Sequence, residues 1–192
     1  MADHTTYLLL FRGVGGATKL PVGPLKEALT KAGFKNATTY ISSGNALVRS
    51  ALSREETIAK VAALCKKKFA FEKAILAPTA LEWKTVMESN PFPAATATPS
   101  LLHAALLEST PTTGAMRALL AVAVEGEQLK LVKGGPSNRF GGYDVAYIHT
   151  PSGFGTSKLA AKFDKGLGVV NTARNWNTVV NLNELAQNLE VT

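Results

Sequence analysis

The order in which strand and helix signals follow one another is the feature that most restricts the fold of this chain. In residues 1–78 the order is β-α-β-β-α-β, and residues 79–192 repeat it after a linker helix and before a terminal helix. Two β-α-β units that follow one another in this way are typical of the ferredoxin-like, or split β-α-β, fold. The sequence therefore predicts an α+β protein of two tandem ferredoxin-like plaits with an added C-terminal helix. A single α/β sheet that merges both halves is the alternative.

The first predicted strand, Tyr7–Phe11, reads YLLLF and shows no alternation of polar and apolar residues. A strand of this kind is normally buried on both faces. Two capping boxes then mark helix starts, one from Ser53 to Glu56 and one from Thr79 to Glu82. In such a box the first side chain accepts from the fourth backbone N–H, and the fourth side chain accepts in return.

Composition excludes several classes of protein. The chain has 46% hydrophobic residues and a net charge of +7 from 21 Lys and Arg against 14 Asp and Glu, which is ordinary for a globular domain. Its longest strongly apolar run, 118–124, is far shorter than the roughly 20 residues that span a bilayer. The single cysteine, Cys65, rules out an internal disulfide and a cysteine-based zinc site. We expect a cytoplasmic protein with no membrane partner, no metal and no cofactor.

Two loops of the first half are predicted to meet at one end of its sheet, because strands one and two run parallel with strand three between them. Glycines in such loops expose backbone N–H groups that suit an anion. The candidate ligand-binding residues here are Arg12, Gly13, Gly15, Gly16, Lys19, Ser43, Gly44 and Asn45. The alternatives are that Arg12 pairs with a carboxylate and that the second loop is an ordinary tight turn.

A second candidate site is predicted in the second half. There the start of one helix and the end of the last strand fall at the same end of the sheet, which brings PSGFGTSK beside TARNWN. The candidate residues are Ser157, Lys158, Thr172, Arg174 and Asn175. The alternatives are that Asn175 only caps a helix, that Trp176 is a packing residue, and that the lysines at 158, 162 and 165 are a solvated face.

Several motifs together resemble the bacterial family named domain of unknown function 1697. The segment YLLLFRGVGGATKLPVGPLKEALTKAGF is similar to the opening of the family, and TYISSGN to its T-Y-x-x-S-G-N signature. NPF at residues 90–92, PSGFGTSK and the T-x-R-N-x-x-T pattern of TARNWNT follow in the same order. The resemblance implies two tandem ferredoxin-like plaits and implies no activity.

The chain departs from the pattern of that family in two places. The family usually has R-G-I-N-V-G-G, whereas this loop continues from Arg12 as GVGG, two residues shorter and without the asparagine. The stretch from Val122 to Gly142 has no counterpart in the pattern, and the role of the loop from Lys133 to Gly142 is left open.

The function that these features favour is non-catalytic binding of a phosphate-bearing ligand, either a nucleotide or a single-stranded nucleic acid. The alternative is an enzyme acting on a small anionic metabolite, with His149, Tyr40 and Tyr147 available for proton transfer. No catalytic residue is assigned, because no paired-carboxylate, Ser-His-Asp, H-E-x-x-H or Walker motif is present. A purely structural role is the third possibility. Either a monomer or a homodimer is compatible with these features.

Overall fold

A computed structural model describes residues 4–15, 18–41, 44–124, 126–135 and 137–190. The chain forms two compact units. The first contains Met1–Trp83 and Leu182–Thr192, and the second contains Lys84–Asn181. The sequence predicts a division after residue 78 with the whole terminal helix in the second part, whereas here the last residues of that helix belong to the first unit.

The first unit holds one four-stranded antiparallel sheet. Its strands and helices, in chain order, are β1 (Thr5–Phe11), α1 (Val22–Lys31), β2 (Lys35–Thr39), β3 (Asn45–Ser50), α2 (Arg54–Phe69) and β4 (Ile75–Leu76), after which α3 (Ala80–Glu88) begins. The strands lie in the order β2-β3-β1-β4, and all neighbours are antiparallel.

The second unit holds a separate four-stranded antiparallel sheet. Short 3-10 segments at Pro93–Ala97 and Pro99–Leu101 precede β5 (Leu102–Leu107), α4 (Thr113–Leu120), β6 (Gln128–Val132), β7 (Asp144–His149), α5 (Lys158–Gly166), β8 (Asn171–Asn175) and α6 (Trp176–Glu190). The strand order is β6-β7-β5-β8, again with antiparallel neighbours. Because the strands form two sheets, the alternative of one merged sheet is wrong.

Strand β1 is buried on both faces, as its apolar sequence predicts. Tyr7 and Phe11 pack into the cluster that contains residues of α1 and α2. On the opposite face, Leu8, Leu10 and Leu47 of neighbouring β3 are each 0% exposed. This second face of the sheet is therefore closed to solvent at its centre.

Both predicted capping boxes form. At the start of α2, Glu56 donates its N–H to Ser53 Oγ (3.2 Å), and Ser53 donates its own to Glu56 Oε2 (2.9 Å). At the start of α3, Glu82 N donates to Thr79 Oγ1 (3.2 Å) and Thr79 N to Glu82 Oε2 (2.8 Å). Within the described residues, no helix combines the length and apolar character needed to cross a bilayer.

The last strand of each unit differs from its prediction. The sequence predicts strands over 71–76 and 168–172, but β4 contains only Ile75–Leu76 and β8 runs over Asn171–Asn175. Gly168 has φ +67 at the end of α5, so the chain turns there and begins pairing with β5 only where Asn171 meets Leu107. Arg174 and Asn175 consequently belong to a strand and not to the loop predicted for them.

Candidate functional site

Three chain segments meet at the end of the first sheet where β1 finishes. Phe11 donates its N–H to the carbonyl of Gly44 (2.9 Å), which belongs to the turn between β2 and β3. Arg12 donates its N–H to the carbonyl of Ala74 (3.0 Å), in the segment that leads into β4. The convergence of the first glycine loop with the β2–β3 turn is therefore confirmed, and a third segment joins them.

Gly44 allows the two loops to approach closely. Its φ is +78, which glycine adopts without steric cost. A Cβ atom at this position would lie 2.6 Å from Val14 Cγ2 and 3.0 Å from the carbonyl oxygen of Phe11. The turn can therefore pack against the loop after β1 only because residue 44 has no side chain.

The loop after β1 is held by its own backbone and by one lysine. Gly13 has φ +62, and its carbonyl accepts from Lys73 Nζ at 3.1 Å. Gly15 and Thr18 exchange two backbone hydrogen bonds of 2.7 and 3.0 Å. Lys73 was not among the predicted site residues. The sequence predicts a strand over 71–76 that includes Lys73, whereas β4 contains only Ile75–Leu76 and leaves Lys73 in the segment before it.

Positive charge is concentrated at this end of the sheet. Among the described residues it carries six cationic side chains, which we call the basic rim: Arg12, Lys19, Lys66, Lys67, Lys68 and Lys73. Three of them lie in the last turn of α2, where the helix macrodipole favours cations. Glu72 is the carboxylate among them, and it accepts from Lys66 Nζ at 2.7 Å. All five lysines are exposed.

Asn45 has a structural role in this arrangement. It is 1% exposed, and its Nδ2 donates to the Tyr40 carbonyl (3.3 Å), while Tyr40 N donates to the Asn45 carbonyl (3.0 Å). These bonds link the two sides of the β2–β3 turn. Such bonds are also expected under the alternative that this segment is an ordinary tight turn. Two further predicted site residues, Gly16 and Ser43, lie outside the described residues.

In the second unit, two predicted site residues cap helices. Ser157 is buried and its Oγ accepts from Ala160 N (3.0 Å) at the start of α5. Asn175 Oδ1 accepts from Thr178 N (3.0 Å) in the first turn of α6. Lys158 is exposed. The capping alternative considered for Asn175 therefore describes its contact in this structure.

Arg174 lies on the face of the second sheet that is turned away from α5. It pairs with Ala104, whereas Ala105, Leu159 and Phe163 form the cluster on the α5 face. Its Nη1 donates to Thr172 Oγ1 (2.7 Å) and to the Ala173 carbonyl (2.8 Å). Burial lowers the pKa of Arg174 to about 10. The structure thus joins Arg174 to Thr172 but does not bring its guanidinium to the start of α5, because successive strand residues alternate between faces.

Histidine and phenylalanine pack together at the PSGFG loop. Phe154 stacks on His103 with ring centroids 3.8 Å apart and an angle of 26° between the planes. His103 Nδ1 is buried with no hydrogen-bond partner among the described residues, and burial lowers the pKa of His103 to about 4. This histidine is consequently a neutral packing residue near neutral pH.

The groups considered for acid–base or nucleophilic chemistry are mostly occupied or buried. Tyr147 is 0% exposed, its hydroxyl donates to the Val86 carbonyl (2.5 Å), and burial raises its pKa. Burial also raises the pKa of the Cys65 thiol to about 11, which makes it a poor nucleophile. His149 lies beside Phe92, with ring centroids 6.4 Å apart. The described residues contain no group of three or more His, Cys, Asp and Glu that could hold a metal ion.

Comparison with known families decides the classification. A family model described as protein of unknown function (DUF1697) matches residues 4–135. The chain belongs to the DUF1697 family. The family match includes the glycine loop after β1, the TYISSGN segment and NPF, and confirms the resemblance stated from the sequence. It ends before PSGFGTSK and TARNWN, whose likeness to the family motifs stays an interpretation.

A solved structure extends the fold comparison over nearly the whole chain. The conserved bacterial protein SP0830 from Streptococcus pneumoniae is similar to this DUF1697 protein with a TM-score of 0.68 and 18% sequence identity. The similarity covers 96% of this chain and 99% of that one, and shows a shared fold. Among curated proteins, no match to this sequence was found.

Proposed function

We propose that this DUF1697 protein binds a phosphate-bearing ligand, a nucleotide or a single-stranded nucleic acid, through the basic rim and without catalysis. The observation that carries the proposal is the gathering of six cationic side chains against Glu72 at one end of one sheet. The whole chain has a net charge of +7, and six of its 21 Lys and Arg lie at this one end. Clustered lysines and arginines attract phosphates and raise the rate of encounter with them.

The face of the sheet is not available as a stacking surface in this proposal. In many RNA-binding plaits, bases stack on aromatic side chains of the exposed sheet face. Here the corresponding positions are Leu8, Leu10 and Leu47, all 0% exposed. The ligand therefore meets the loops and helix end that surround β1, not the flat of the sheet.

The geometry of the rim favours an extended anion over a compact metabolite. Its lysines are exposed and come from the loop after β1, the end of α2 and the segment before β4. Small ligands generally require a concave site that covers most of their surface. Exposed lysines instead act as point charges that each meet a phosphate, which suits several consecutive phosphates better than one.

We also infer that each unit is a ferredoxin-like plait. The strand orders β2-β3-β1-β4 and β6-β7-β5-β8, with antiparallel neighbours, support this inference. In that arrangement the ends of strands one and two and the starts of strands three and four share one side. This connectivity is why loops distant in sequence assemble the rim. Location in the cytoplasm stays a prediction.

The experiment is a titration of the full-length protein into fluorescent single-stranded oligonucleotides at 50 and 200 mM salt, with a mononucleotide series alongside. If four phosphates are engaged, log K should fall against log salt with a slope of about −3. A steep slope for oligonucleotides supports the nucleic-acid form of the proposal. Binding of a mononucleotide alone supports the nucleotide form. Absence of binding to both at low salt would refute the proposal.

A further inference from the structure

A row of three residues crosses the first sheet at the end far from the basic rim. Arg49 of β3 lies opposite Thr6 of β1 on one side and Lys35 of β2 on the other, and the register of β2 against β3 is irregular between Lys35 and Thr38. Directly opposite residues in an antiparallel pair point to the same face. Leu47, two residues before Arg49, shares that face. The row therefore lies on the face of the sheet whose centre is closed to solvent, at its margin.

Arg49 is incompletely satisfied in this position. Its side chain is half-buried, and its Nε is buried with no hydrogen-bond partner among the described residues. An N–H of a charged group that is out of water and unpaired is costly. Native structures keep few such groups, and each requires an explanation.

Lys35 adds a second positive charge beside the first. It is exposed on the edge strand, and Arg49 is its direct cross-strand partner. Like charges placed directly opposite one another destabilise a sheet. Thr6, the third member of the row, is 2% exposed and carries no charge. The register therefore places two positively charged residues opposite one another on neighbouring strands.

We propose that Arg49 and Lys35 form a second oxyanion site, which binds a phosphoryl group. A phosphate monoester carries nearly two negative charges at neutral pH and so matches two cations. The guanidinium supplies paired N–H donors suited to phosphate oxygens, and the ammonium supplies a point charge. This site is separate from the basic rim. No sequence motif predicted Arg49 or Lys35 as a binding residue.

The test is a titration of the full-length protein with inorganic phosphate, followed by the NMR amide shifts of Thr6, Lys35 and Arg49. In Arg49→Lys, which keeps the charge but loses the fork, we expect binding about tenfold weaker. In Lys35→Ala, which changes an exposed side chain of the edge strand, we expect a similar loss. Lys162→Ala, an exposed lysine of α5, is the control and should bind as the parent does.

Three results would overturn the proposal. One is the absence of any shift in the row at millimolar phosphate. A second is an equal response to acetate at matched ionic strength, which would mean a general carboxylate site and not a phosphoryl one. A third is unchanged binding in Lys35→Ala. A variant with alanine at Lys66, Lys67 and Lys68 should keep the phosphate response of this row, so that failure here is distinguishable from failure of the rim proposal.

Discussion

The corresponding ends of the two sheets are built from the same elements, but the polar side chain that begins the third strand of each sheet makes different hydrogen bonds. Asn45 begins β3 and pairs with Leu10, and Asp144 begins β7 and pairs with Leu107. In the second unit, the Asp144 carboxylate accepts from Thr110 Oγ1 (2.5 Å) and from Gly134 N (2.9 Å). In the first unit, the neutral Asn45 amide donates to the Tyr40 carbonyl.

This difference separates an end that is held by a carboxylate of its own from an end that carries clustered positive charge. The second unit carries a built-in anion that ties together the loops around it. One nearby cationic side chain is also engaged within the unit, because Arg139 Nη2 donates to the Lys133 carbonyl (2.8 Å) and its guanidinium lies 4.8 Å from the Phe140 ring centroid. At the corresponding place, the first unit has a neutral residue and the basic rim. We infer that the first end is kept for an external anion and the second is structural.

The largest expected effect on stability comes from removing the Asp144 carboxylate. Asp144→Ala should lower the free energy of unfolding by about 3 kcal/mol, because two charge-assisted hydrogen bonds are lost and the Gly134 N–H is left unpaired. Asn45→Ala, the matched change in the first unit, should cost about 1 kcal/mol. Urea unfolding of the two variants measures both values. Equal losses would break the comparison between the two ends.

A smaller effect is expected at the close approach of loops in the first unit. Gly44→Ala should destabilise by about 2 kcal/mol, because it combines a positive φ with a 2.6 Å contact to Val14. Gly135→Ala has a comparable φ of +67 but open space around the new methyl group. It should cost about 1 kcal/mol. If both cost the same, the packing of the two loops does not depend on residue 44.

The smallest effect is a pH dependence specific to the second unit. His103 is held neutral by burial, with a pKa of about 4 in the folded protein against 6.5 for the ordinary group. Since the unfolded chain binds the proton more readily, stability is complete above pH 6.5 and falls as the pH drops toward 4. Between pH 7.5 and 5.5 we expect a loss of about 1 kcal/mol from this group. His103→Phe should flatten this part of the profile, and an unchanged slope would contradict the assignment.

The sequence was informative where local patterns determine structure. The apolar run of β1 predicted burial on both faces, and both capping boxes formed, because these signals involve residues close in sequence. The meeting of the Gly13 loop with Gly44 followed from the order of strands. Each of these inferences used only local chemistry and connectivity.

The sequence was less informative where strand register and contacts between distant residues determine the structure. β8 starts later than its residues suggest because Asn171 must reach Leu107, and this shift sends Arg174 to the face away from α5. Lys73 contributes to the rim through a contact with Gly13, 60 residues away in the chain. The unsatisfied Nε of Arg49 depends on the packing around it. None of these three features has a local sequence signal.

The most direct test of the account compares two charge-matched variants. One replaces Lys66, Lys67 and Lys68 of the rim with alanine, and the other replaces Lys158, Lys162 and Lys165 of α5. If the rim holds the phosphates, the first variant should flatten the slope of log K against log salt for a single-stranded oligonucleotide by about 2. The α5 variant should leave the slope close to that of the parent. Equal changes in the two slopes would mean that the protein attracts nucleic acid through its overall charge, and would contradict a binding site at the end of the first sheet.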